Sequence, residues 1–284
     1  SDVYIYYSSI VRKMTNLLSS YKADNSSPLL NDESTKILIL MFEKYRIHFY
    51  SIVNLTYKGT PDTENGEKYL DISSITLMIR SCYEVYLLFH YIFMQASSIS
   101  KIFKIESFEN YRDVISLRCL LYKHDAYTQT IKAYNQVQKK KNTASMLLNK
   151  TILEIRVNPV FVKLQKNEQE ILLKKWKKSW ADISKETELS KWASTENYNL
   201  MSQYAHSSFT ALESLDYYNN NPSLYDKDSM NLMLYITTTL FVKDLCRVLH
   251  VANEKFMGIF SQDEVNLMNE FYGLALKEPP ELGF

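Results

Sequence analysis

The sequence predicts an all-α protein, a multi-helix bundle around a buried central helix, and three observations predict it. Glycine and proline number only 5 and 6 among 284 residues, far below ordinary usage of about 7% and 5%. A chain so poor in turn formers cannot easily make the many tight turns of a β-sandwich or barrel. Apolar residues recur at helical spacing along most of the chain. The longest apolar runs, "EVYLLFHYIFM" and "LMLYITTTLFV", fall short of the roughly 20 residues that span a bilayer. Glu84, His90 and Lys243 flank or interrupt them, which favours buried core helices. The length supports a sizeable core, and the expected organisation is a single helical domain over 1–284.

The elements follow in order. Residues 1–22 carry Ile5, Ile10, Val11, Met14, Leu17 and Leu18 at helical spacing. "ADNSSPLLNDES" is a loop, and Asp32 or Ser34 is expected to cap the next helix, which runs to about Tyr57. "KGTPDTENGEK" holds two of the five glycines and reads as the clearest turn of the N-terminal half. Asp71 is placed to cap a third helix, "ISSITLMIRSCYEVYLLFHYIFMQ", apolar nearly all round and so expected at the centre of the bundle. Residues 107–156 read as one long helix or two, with the basic run Lys139–Lys141 in the middle. Asn158 and Pro159 end that stretch, since proline disfavours helical geometry in the residue before it. "NEQEILLKKWKKSWADI" reads as a shorter amphipathic helix. Thr195 or Ser194 is expected to open a helix that ends near Tyr218, and "NNNPSLYDKDS" is a loop. Helices are expected at about 227–252 and 262–277, the last opened by "SQDE", a serine-to-glutamate spacing suited to a capping box.

Charge and cysteine usage narrow the setting. Lysine and arginine total 33 against 32 acidic residues, so a polyanion would have to meet a local patch, without a strong attracting field from the whole protein. Cys82, Cys119 and Cys246 stand singly in apolar helical context, where cysteine behaves as a small hydrophobe. No disulfide framework is expected, and a reducing compartment is implied. No secretory signal is read near Ser1, so the expected location is cytoplasmic. Zinc spacings, glycine-rich phosphate loops, nucleophile elbows and EF-hand loops are not read in the sequence. No cofactor, no metal and no membrane association are expected.

The residues that could carry chemistry lie on two helices. Arg80 and Glu84 stand one turn apart, on one face. Amid so much apolar surface they must be paired or hydrogen-bonded, because an isolated buried charge costs several kcal/mol. In "YNLMSQYAHSS", a wheel at about 100° per residue puts Met201, Ala205, Phe209 and Leu212 on the core-facing stripe. Tyr198, Ser202, His206 and Glu213 fall along its edge, where one helix meets a neighbour. Histidine there suits acid–base work near neutral pH. "KKWKKSW" mixes lysines with Trp176 and Trp180, which suits phosphates and bases, and equally a surface helix with its tryptophans turned inward. The 22 tyrosines fit cores with wet edges, and binding surfaces.

Together, "IRSCYEVYLLFHYI" and "YNLMSQYAHSS" resemble a family of bacterial helical proteins of unknown function. Its members share an Arg-Ser-x-x-Glu helix and a later Tyr-x-x-x-Ser-x-x-x-His helix. Arg80, Ser81 and Glu84 match the first element, Tyr198, Ser202 and His206 the second, and the resemblance covers roughly residues 70–218. That family is distantly similar to the higher-eukaryote-and-prokaryote nucleotide-binding (HEPN) helical bundles. Many of those are ribonucleases of toxin–antitoxin and phage-defence systems, with an Arg-x(4–6)-His motif on one helix. Here residues 197–201 hold no arginine, so Arg80 would have to reach His206 from another helix. The expected site has Arg80 binding an anionic group and Glu84 holding it. His206 moves a proton, while Ser81, Tyr198 and Ser202 bind or orient the ligand. The ligand is unknown, with RNA or a nucleotide as candidates. The enzyme version is a metal-independent ribonuclease with His206, Arg80 and Glu84 as catalytic residues. The rival is a structural or interaction module that binds a partner or pairs as a homodimer.

Overall fold

The structure, a computed structural model, describes residues 3–24, 30–61, 68–94, 108–134, 136–205, 208–220, 227–249, 255 and 258–277. Among these the regular secondary structure is helical apart from one antiparallel pairing of β1 (Thr60–Pro61) with β2 (Lys68–Tyr69). The all-α bundle is what forms. The chain divides into two compact units, Ser1–Asp24, Ile39–His90 and Trp180–Phe284 in the first, and Asn25–Leu38 with Tyr91–Ser179 in the second.

The first unit is built from α1 (Val3–Asp24), most of α2 (Asp32–Lys58), α3 (Ile72–Phe89), α8 (Trp180–Lys185), α9 (Asn197–Ala205), α10 (Phe209–Asn220), α11 (Lys227–Met230), α12 (Leu232–Val248) and α13 (Gln262–Leu276). Its most buried element is α12, where every residue except Leu232, Lys243 and Arg247 is buried. The sequence places α3 at the centre. The structure instead gives α12 that role, because α3 leaves Leu77 exposed and Arg80 and Glu84 half-buried. α3, α13 and α1 pack around α12. Phe241 on α12 meets Phe42, Tyr45 and Phe89, with ring centroids 5.6, 5.0 and 4.7 Å away, aromatic contacts within the favourable range.

Local signals explain most boundaries. Asp71 caps α3 by accepting the Ser74 N–H at 3.0 Å, and Ser261 and Glu264 form the expected capping box on α13. α2 ends at Gly59, whose φ of 73° is the left-handed conformation glycine adopts without penalty; its N–H bonds the Leu55 carbonyl. The cap of α2 is neither Asp32 nor Ser34. Asn31 Oδ1 accepts the Ser34 N–H at 2.8 Å, while Ser34 itself is buried. The helix predicted from Thr195 to Tyr218 is also broken. Thr195 and Ser194 lie inside a π turn, Trp192–Glu196, and Ser190 Oγ accepts the Ala193 N–H where it begins. α9 ends at Ala205, and α10 starts behind Ser208, whose Oγ accepts the Ala211 N–H. A single wheel therefore does not extend across the segment. Met201 faces the core as expected, but Ala205 and Leu212 are exposed and Phe209 is 73% exposed.

The second unit holds the start of α2, α4 (Phe108–Ala133), α5 (Gln138–Val157), α6 (Pro159–Val162) and α7 (Lys166–Lys174). The stretch read as one helix or two is two, with α4 packed along α5, and the basic run opens α5. Asn158 ends α5 and then caps α6 through Oδ1. The helix read through "NEQEILLKKWKKSWADI" stops at Lys174. Trp176 leaves the helical path to bury its ring beside Tyr91 and Tyr122, and Tyr91 donates to its carbonyl at 2.9 Å. Arg118, also buried, lies 4.3 Å from the Tyr91 ring centroid and donates to the Tyr91 carbonyl.

The three cysteines are free and buried. Among the described residues one helix, Ile72–Met94, which includes a π turn from His90, is long and apolar enough to cross a membrane by length and composition; half of its most apolar 18-residue stretch is buried in the fold.

The cap of α3 is testable. Asp71→Ala should cost about 1 kcal/mol in denaturant unfolding, and Asp71→Asn should restore most of it. An unchanged midpoint in the alanine variant would remove Asp71 from the account of where α3 begins.

Candidate functional site

Arg80 and Glu84 stand on the border of the buried face of α3, where α9 packs against it. Arg80 Nε donates to Glu84 Oε1 at 3.0 Å, and Arg80 Nη2 donates to the Tyr198 hydroxyl at 3.1 Å. That hydroxyl donates in turn to Glu84 Oε1 at 3.0 Å, so the three side chains close a ring. The guanidinium carbon lies 5.0 Å from the Tyr198 ring centroid, close enough for cation–π attraction. The side chains of Arg80 and Glu84 are 20% and 28% exposed. Burial works against the charge on Arg80, but the hydrogen bonds to Tyr198 and Glu84 outweigh it and raise its pKa. Burial, then the Glu84 charge, raises that of Tyr198. The Nη1 edge of Arg80 has no hydrogen-bond partner among the described residues.

The other expected residues separate. Ser202 donates to the Tyr198 carbonyl at 2.7 Å, a bond within its own helix that turns the hydroxyl away from the ring of three. Ser81 Oγ lies 3.4 Å from His48 Nε2 on α2. His206 falls outside the described residues. The structure thus brings together Arg80, Glu84 and Tyr198.

In the same unit is an apolar cavity of about 200 Å³, lined by the chain neighbours Ile79 and Asn197 of the ring and not by the ring itself. Ile72, Ile75, Thr76 and Ile79 of α3 form one wall; Met201 and Tyr204 of α9 stand among the lining residues opposite. Thr76 is one turn before Arg80 on the same face.

A second polar cluster was not anticipated from the sequence. Asp244 of α12, with its side chain 6% exposed, accepts from Tyr86 at 3.2 Å, from His90 Nδ1 at 3.0 Å and from Arg247 at 3.2 Å. Beside it Lys243 Nζ sits 3.2 Å from the Tyr272 ring centroid and 3.9 Å from Glu188, and Tyr272 donates to Glu188. Burial, then the charge of Arg247, lowers the pKa of Lys243. The hydrogen bond from Tyr272 holds Glu188 below the usual carboxylate range, and burial with Glu188 pushes Tyr272 up to about 12. The available signal was a polar residue in or directly after each apolar run, His90 inside one and Lys243 with Asp244 just past the other. Pairing them required the fold. Among the described residues no group of three or more His, Cys, Asp and Glu side chains is placed to hold a metal ion.

A model of a family of unknown function, DUF5677, matches residues 35–222, which include α3, α9 and their ring of three. No curated protein and no solved structure matches the chain.

Two measurements test this geometry. Asp244→Ala would strand the buried Tyr86 hydroxyl and His90 ring and should cost about 3 kcal/mol of stability in urea unfolding; a loss under about 0.5 kcal/mol, the range of ordinary surface substitutions, would contradict the network. Burial, then Lys44, lowers the pKa of His48 from 6.5. The unfolded imidazole therefore takes a proton more readily than the folded one, and stability falls as pH drops below 6.5 towards the folded value. In His48→Gln that fall should be shallower, and identical slopes would refute the shift.

Proposed function

The chain belongs to the DUF5677 family, and we propose that it is a binding protein for a small anion, received at Arg80. One observation carries this reading. The closed ring engages Arg80 Nε and Nη2 with Glu84 and Tyr198 and leaves the Nη1 edge without a hydrogen-bond partner among the described residues. Arginine presents its donors in a rigid fork, so fixing one side of the fork aims the other. Partial burial adds to this, because screening by salt is weaker away from bulk water. Glu84 acts here as a holder. Its charge also offsets that of the guanidinium, so the arrangement suits a singly charged ligand better than a phosphate dianion.

The HEPN-like resemblance supplies a second reading from the enzyme class, an RNA-cleaving protein of defence or toxin type. In it His206 is the acid–base group and Arg80 stabilises the charged phosphate. What supports it is the motif pair; the absence of an arginine from residues 197–201 and the engagement of Arg80 by Glu84 count against it.

Nitrogen-15 NMR of the arginine side chains, titrated with acetate, inorganic phosphate and a single-stranded RNA, separates the readings. Acetate should move the Arg80 signals saturably. Arg80→Met should weaken acetate at least tenfold, the loss expected for a hydrogen bond to a charged group. If neither acetate nor phosphate moves those signals, the anion site does not exist. RNA cleavage without added divalent metal, lost in His206→Ala, would establish the ribonuclease version instead.

A further inference from the structure

We infer that the ligand of this site is an amphipathic monocarboxylate, its apolar part lodged in the α3–α9 cavity and its carboxylate at Arg80. The inference rests on the anion reading above and adds the other half of the molecule.

The cavity is continuous in sequence with the ring of three on both of its helices. On α3 the lining residues Ile72, Ile75, Thr76 and Ile79 lead at helical spacing to Arg80. On α9, Asn197, Leu200 and Met201 line the cavity and flank Tyr198, which holds the guanidinium. Arg80 and Tyr198 do not themselves line the cavity; each directly follows a lining residue, Ile79 on α3 and Asn197 on α9, so the charged pair of α3 stands at the end of the lining face. The lining is apolar, with Ile72, Ile75, Ile79, Met201 and Met233 buried. Its polar members are few: Thr76, Asn197 and Tyr204. Asn197 is already engaged by the Trp192 carbonyl. A wholly polar ligand would leave its groups unpaired there, which costs free energy.

Size fixes the class further. An apolar cavity of about 150 Å³ takes a benzene molecule, so 200 Å³ matches one ring with a short substituent or a chain of about seven carbons. The methionines suit a flexible chain, since the thioether adapts to irregular shapes. A planar carboxylate matches the parallel N–H donors of the Nη1 edge, which has no hydrogen-bond partner among the described residues, and with Glu84 beside it the site has too little positive charge for a dianion.

Isothermal titration calorimetry on the full chain tests this, with acetate, hexanoate, octanoate and 1-octanol as probes. Octanoate should bind most tightly, and each added methylene should tighten binding about three- to fourfold. Leu200→Trp places a ring in the cavity from a residue that is half exposed. It should abolish the chain-length dependence while leaving acetate unchanged; circular dichroism confirms that the variant is folded. Arg80→Met should bring octanoate down to the level of octanol. If acetate and octanoate bind alike, the anion site stands and the cavity is not part of it. If octanol matches octanoate and Arg80→Met changes nothing, the cavity takes neutral molecules and the anion reading falls with this one. If no probe binds, both are overturned.

Discussion

The structure of the first unit depends on one constraint: α12 is buried almost whole, yet it carries Thr237, Thr238, Thr239 and Asp244 on its buried surface. A buried hydroxyl or carboxylate without a partner costs about 1–3 kcal/mol or more, so these groups dictate what may pack against them. Thr237 and Thr238 donate to carbonyls one turn back, at 2.6 and 2.7 Å. Tyr45 of α2 reaches Thr238 at 2.8 Å and Tyr7 of α1 reaches Thr239 at 2.6 Å. Tyr86 and His90 answer Asp244. Tyrosine is suited to this because one end fills a core and the other makes a hydrogen bond. The abundance of tyrosine in the sequence is accounted for in part here, by a core that needs large rings with polar tips.

This constraint also orients the candidate site. Tyr86 and Phe89 tie one side of α3 to α12, through Asp244 and through Phe241. Tyr83, three residues before Tyr86, reaches Ser184 of α8 with its hydroxyl at 3.1 Å. The face holding Arg80 and Glu84 lies at the seam with α9, partly exposed. There Tyr198 meets both. The chain of cause runs from the buried helix, through its tyrosine partners, to the rotation of α3, and so to the position of the guanidinium. Arg80 and Glu84 alone would form an ordinary one-turn ion pair, of the kind worth a few tenths of a kcal/mol on an exposed helix. The third member turns it into a fixed fork.

What was legible in the sequence is what local chemistry decides. The Asp71 cap, the Ser261 capping box, the pairing of Arg80 with Glu84 and the isolation of the three cysteines all follow from residues within a turn or two of each other. Tyr198 as their neighbour came from the shared motif, since nothing in its own segment points to α3. The misreadings have a common origin in tertiary packing. Trp176 leaves a helical path because its ring is buried and its carbonyl finds Tyr91. The wheel through Met201, Ala205, Phe209 and Leu212 assumed a continuous helix, and the break between α9 and α10 changes its phase. Asn31 displaced Asp32 and Ser34 as the cap of α2, with its own amide donating to Ser116 Oγ at 3.1 Å. His90 and Asp244 are 154 residues apart, and no periodicity joins them.

Two arginines of the chain lie over tyrosine rings, and their settings differ. Arg118 lies over the Tyr91 ring, as Arg80 lies over that of Tyr198, and both donate hydrogen bonds. Arg118 is 2% exposed and reaches a main-chain carbonyl; its surroundings shut it away from any ligand, and its role is to hold the second unit together. Arg80 is part-exposed and paired with a carboxylate on one side. Desolvating that charge opposes the positive form, and the arrangement offsets it with two hydrogen bonds, to Tyr198 and Glu84. The two settings thus differ in the second contact, a main-chain carbonyl for the buried Arg118 and a carboxylate one turn along the same helix for the part-exposed Arg80.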